Sequence, residues 1–123
     1  MATDLEVALY ELFANKEELL PLWLWLRPAV EGFGPDVGVT PRERYAEFDR
    51  KGAAFVIAEP TAHHRLDVGL HNPGLPFTGR FRTAHEFGSP RITHRVSLPE
   101  NTERIDEELH ARLHEAYALT ARS

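Results

Sequence analysis

Apolar residues change their period twice along this chain. Near both ends they recur every three to four positions, and through the middle they alternate with polar residues. A helix buries one stripe of side chains and a strand buries one side, so this order calls for helices from the ends packed on a sheet built from the middle.

The first stripe is Leu5, Leu9, Leu12 and Phe13, opened by Thr3 and Glu6 at the spacing of a capping box. Asn15-Lys16-Glu17-Glu18 reads as a second helix start, after which Leu19, Leu22, Trp23, Leu26, Val30 and Phe33 keep the period. Gly32 to Asp36, with Gly34 and Pro35, ends that helix. Pro21 and Pro28 lie inside it; each removes an amide donor and crowds the preceding turn, which predicts a bend or an early break. The last stripe is Ile105, Leu109, Leu113, Ala116 and Tyr117, with Asn101 or Thr102 as its cap.

Between them Val37-Gly38-Val39 is short and extended. Tyr45 to Phe48 and Ala53 to Ala58 read as strands joined by a turn at Lys51-Gly52. Arg65 to His71 and Arg91 to Leu98 alternate cleanly, Asn72 to Pro76 is a loop, and Gly79-Arg80-Phe81-Arg82 has room for a short strand. The expectation is an α+β fold in two layers: an antiparallel sheet of about five strands, two N-terminal helices and one C-terminal helix, forming a single domain over residues 1–123.

Composition then excludes classes of function. The 123 residues contain no cysteine, which removes disulfides, zinc–thiolate sites, iron–sulfur clusters and thiol nucleophiles. No run of about 20 apolar residues offers a membrane span, and Met1-Ala2-Thr3-Asp4 lacks the basic start of a secretory signal, so a cytoplasmic protein is expected. The net charge of −5 argues against duplex DNA as a partner. That charge is unevenly spread: residues 37–99 carry nine basic and six acidic groups, while the segments on either side are acidic.

Alternation assigns side chains to faces. Ile92, His94, Val96 and Leu98 fall on the apolar side of the last strand, and Leu66, Val68 and Leu70 on that of an earlier one. The other side collects Arg65, Asp67, His71, Thr93, Arg95 and Ser97. This is either a solvated face with cross-strand ion pairs or a positive platform for a carboxylate, a phosphate or an acidic segment. His94, among core positions, is either a buried hydrogen-bonded histidine or a general base. His63-His64 is assigned to a solvated turn. His110 and His114 share a helix side without a third ligand, so no metal site is expected. Trp25 falls about 200° round the helical wheel from Trp23, which points to a partner or homodimer contact through that helix. No phosphate-cradling glycine loop or nucleophile elbow is present, and Ser89, Ser97 and Ser123 lack nucleophile context.

The order and spacing of several segments carry a resemblance: Leu12-Phe13, Gly34-Pro35-Asp36-Val37, Pro41 to Tyr45, Phe55 to Pro60, Arg65 to Leu70, Gly79-Arg80, Thr93-His94-Arg95-Val96 and Ala116-Tyr117. Together they resemble domain-of-unknown-function family 5655, small bacterial domains often labelled "predicted transport protein". The resemblance implies an α+β domain, found alone or attached to others, with no established activity. It singles out Tyr45, Arg80, His94 and Arg95 as site residues. The resulting expectation is a cytoplasmic binding module for an anionic small molecule or an acidic protein segment, without cofactor or metal. The alternatives are a small enzyme with a histidine acid/base (His94 or His71) acting on an accessory metabolite, and a nucleic-acid-associated accessory domain.

Overall fold

A computed structural model describes residues 3–84 and 87–120. The readings placed on Met1-Ala2 and on Ser123 lie outside the described residues.

Helix α1 runs Asp4–Glu11, and the Thr3 hydroxyl accepts from the Glu6 amide at 3.2 Å, as the capping spacing predicts. The Glu6 side chain completes no box; it accepts instead from Arg27 of the next helix at 2.7 and 2.8 Å. A single 3₁₀ turn, Glu17–Leu19, leads into α2, Leu20–Glu31. Neither proline breaks α2. Pro21 occupies the first turn, where an amide would have no helical partner anyway, and the helix continues through Pro28 to Glu31.

Six strands follow in place of about five: β1 Val37–Pro41, β2 Ala46–Arg50, β3 Ala53–Pro60, β4 Arg65–Leu70, β5 Arg82–Thr83 and β6 His94–Pro99. They form one antiparallel sheet in the order β1-β2-β3-β4-β6-β5. Lys51 and Gly52 have φ of 53° and 84°, the two positive angles of a type I′ turn, whose twist matches the flanking strands. A register shift at Phe48/Asp49 lets the consecutive residues Phe55 and Val56 both join the main core. Helix α3, Glu107–Thr120, returns over β3 and β4.

The three helices share one side of the sheet. There Leu9, Phe13, Leu22, Trp23, Leu26, Leu109 and Leu113 meet Phe48, Val56, Leu66, Val68, Leu70 and Val96, all buried. Phe13, Trp23 and Phe48 form an aromatic row with centroids 5.7 and 5.6 Å apart. Two boundaries differ from the sequence reading. Helix α3 starts at Glu107, and its cap is Asp106 rather than Asn101 or Thr102: the Asp106 carboxylate accepts from the Leu109 amide at 3.4 Å. Strand β6 starts at His94, so Ile92 does not share the side of His94. It lies on the opposite side of the sheet, against Ile57 and Phe87.

Candidate functional site

The side of the sheet away from the helices is divided by one glycine. Gly69, at the middle of β4, leaves room for Phe87 and Ile92 to settle on the strand. A Cβ there would lie 2.7 Å from Ile92 Cγ2, 2.8 Å from Ile57 Cγ1 and 3.0 Å from Phe87 Cε2. Ile57, Ala84, Phe87 and Ile92 form a small second core, with Tyr45 against it. Arg95, paired in register with Gly69, lays its guanidinium over the Phe87 ring with Cζ 4.6 Å from the centroid. Beyond that aromatic plate the surface becomes charged.

There the alternation of β4 and β6 sets Asp67 opposite Ser97. Asp67 is 3% exposed and accepts from both neighbours: from Arg95 Nη2 at Oδ2, and from Ser97 Oγ at Oδ1, 2.6 Å. Arg82 of β5 donates to Ser97 Oγ at 3.0 Å. One carboxylate and one hydroxyl therefore hold two guanidiniums in place, while Arg95 Nε is buried without a partner. Directly across from Asp67, on β3, stands Glu59, whose carboxyl is pushed above its ordinary range chiefly by burial, with Arg44 opposing.

Asp67, Arg82, Arg95 and Ser97 border a cavity of about 550 Å³, also lined by Thr61, His63, Arg65 and Arg80. The four arginines differ in what they already hold. Arg80 is committed to α3: Nη1 donates to Asp106 at 3.0 Å and to Glu108 at 2.6 Å, and Nη2 also donates to Asp106. The Arg80 hydrogen bond is the main cause that brings the Asp106 carboxyl down to about 2. Arg95 is committed to Asp67. Arg65 and Arg82 have no carboxylate partner among the described residues. The result is a polar hollow of small-molecule size with two unneutralised guanidiniums and two fixed ones, an arrangement suited to a compact anion.

Of the residues singled out by resemblance, the structure brings Arg80 and Arg95 together on this cavity. Tyr45 lies apart from it, against the Ile57 cluster. His94 lies on the helix side and is fully buried. Its Nε2 faces the Leu75 carbonyl at 2.8 Å and so carries the proton; Nδ1 then accepts from the Thr93 hydroxyl at 2.7 Å. Phe77 stacks on the ring with centroids 4.4 Å apart. Burial pushes the His94 pKa below the usual histidine value, against the opposing bond to Leu75. Both ring nitrogens are thus used internally.

Two residues that alternation put on the platform are also elsewhere. His71 Nδ1 donates to the Arg91 carbonyl at 2.7 Å, and Thr93 Oγ1 accepts from the Asn72 amide at 2.9 Å. His110 and His114 pack around Phe33, with centroids 5.3 and 5.0 Å away. Trp25 is 53% exposed on α2 beside Leu24. Arg82 is the cavity residue that sequence reading left without a role, although its spacing of two from Arg80 was a usable signal.

No described helix is long and apolar enough to cross a membrane. A family model described as a domain of unknown function, DUF5655, matches residues 10–120, the same family that the motif order resembles. No curated protein and no solved structure matches.

Proposed function

We propose that this chain, which belongs to the DUF5655 family, is a binding module for a small, compact anion seated among Arg65, Arg80, Arg82 and Arg95. The observation that supports this most strongly is the pair of guanidiniums, Arg65 and Arg82, that line the cavity and form no ion pair with a carboxylate among the described residues. Each charge-assisted hydrogen bond to an anion there contributes about 1.5–3 kcal/mol. Asp67 and Ser97 keep Arg95 and Arg82 oriented before the ligand arrives, which lowers the ordering cost of binding. The module is read as bacterial and cytoplasmic, and the exposed Leu24 and Trp25 favour a second copy as the partner of α2.

A cavity of about 550 Å³ favours a small molecule over an acidic peptide. The enzyme alternative loses support because neither His94 nor His71 lines it. The test is thermal unfolding with inorganic phosphate, a phosphomonoester, citrate or an acidic peptide. A small anion at about 100 times its Kd should stabilise the fold by about 2.7 kcal/mol. Arg65→Ala with Arg82→Ala should remove that gain. Stabilisation by the peptide alone, or a gain that survives both substitutions, overturns the proposal.

A further inference from the structure

A second group of side chains converges outside the cavity, contributed by three distant parts of the chain. Glu18 comes from the 3₁₀ turn before α2, His64 from the β3–β4 turn and Glu100 from just beyond β6. One potential ligand atom from each lies within 4.8 Å of the other two. His64 Nδ1 is 2.8 Å from Glu18 Oε1 and 3.3 Å from Glu100 Oε2. We propose that Glu18, His64 and Glu100 bind a single borderline divalent cation of the Zn²⁺ class, with the fourth position open to water.

The donor set argues for a cation. Nδ1 can offer one proton, yet two carboxylates point at it. Hydrogen bonding satisfies one of them and leaves the other as its like-charged neighbour, whereas an ion accepts all three. The spacing agrees. Donors at 2.0–2.2 Å around a tetrahedral ion stand about 3.3 Å apart, which matches the His64–Glu100 separation; the His64–Glu18 pair would open by about half an ångström, and the two carboxylates already lie within 4.8 Å of each other. One imidazole with two carboxylates suits zinc better than magnesium, which takes oxygen donors and keeps its waters. The segments that carry the donors are tied together: the Glu100 amide donates to the His64 carbonyl at 3.0 Å, the Lys16 side chain donates through Nζ to the Pro60 carbonyl at 3.3 Å, and Leu19 beside Glu18 is fully buried.

The site is separate from the arginine cavity and does not depend on its ligand. An ion there would clasp the entry to α2, the β3–β4 turn and the end of β6, and so fix the rim next to His63.

The experiment is calorimetric titration of chelator-stripped protein with ZnCl₂ and, in parallel, MgCl₂. Expected are one Zn²⁺ per chain, no comparable Mg²⁺ binding, and a loss of Zn²⁺ affinity of about a hundredfold in His64→Ala. Glu18→Gln with Glu100→Gln should weaken it similarly. The competing histidine pair is controlled by His110→Ala with His114→Ala, which should leave the titration unchanged. Each substitution is on an accessible side chain, and unfolding in chelator verifies that the variants fold. Absence of saturable binding, unchanged affinity in His64→Ala, or loss in the His110/His114 variant overturns the proposal.

Discussion

The two sides of the sheet treat their polar groups in opposite ways. On the helix side His94 is sealed, and each ring nitrogen ends on a group of the same chain, the Leu75 carbonyl and the Thr93 hydroxyl. On the outer side Asp67 is nearly as buried, yet it organises arginines whose donors are not all used. A polar group with no spare bonding capacity maintains a fold; one with capacity left over is available to a ligand. Burial does not separate the two cases, because Asp67 and His94 are both buried. What separates them is the accounting of donors and acceptors.

The contrast is breakable at several points. The largest effect belongs to the helix side: Phe48→Ala removes one member of the aromatic row and should cost about 4 kcal/mol in denaturant unfolding. A loss below about 1 kcal/mol would place the stability elsewhere. Next, His94→Ala empties a buried site and takes the ring donor from the Leu75 carbonyl, for about 3 kcal/mol. His94 also predicts a pH dependence. Its folded pKa is depressed, so the unfolded chain binds the proton more readily. The contribution is complete above the ordinary value of 6.5 and is lost as pH falls below it. His94→Gln should flatten that limb of the stability curve.

Gly69→Ala tests the division of the outer side. The added methyl displaces Phe87 and Ile92 and should cost about 2 kcal/mol. If Gly69→Ala is neutral, the aromatic plate under Arg95 is not held as described. Arg80→Ala releases the cap of α3. Asp106 at about 2 stabilises the fold above 3.8, and that contribution disappears as pH drops through about 2. Because both side chains are more than a third exposed, the effect is discounted to about 1 kcal/mol, and the variant should lose its extra acid resistance. The smallest effect sharpens the contrast most: Arg65→Ala with Arg82→Ala should change stability by no more than about 0.5 kcal/mol while eliminating anion binding.

Period and alternation made the architecture legible. They gave the helices, the Lys51-Gly52 hairpin, the inward position of His94 and the outward one of Asp67, Arg95 and Ser97. They failed where backbone leaves ideal geometry. Alternation carried back from β6 puts Ile92 on the side of His94, but the chain before His94 is not part of the strand and Ile92 packs on the opposite side. Asn101 or Thr102 satisfied the cap preference, but Arg80 and Asp106 fix the start of α3 through a contact 26 positions apart. The cavity was half legible: Arg80 and Arg95 were named, and Arg65 lay on the right side. Tyr45 was drawn toward Ile57 by a loop whose path no local pattern encodes. Glu18, His64 and Glu100 were invisible together, because only the folded sheet brings them into reach.

The terminal strand β5 has one more implication. At two residues it is too brief to template a seventh strand, and Arg82 marks that margin with a charge. The longer terminal strand, at the far margin, is the five-residue β1. The border open to such pairing is thus the one opposite Arg82 and the proposed anion cavity.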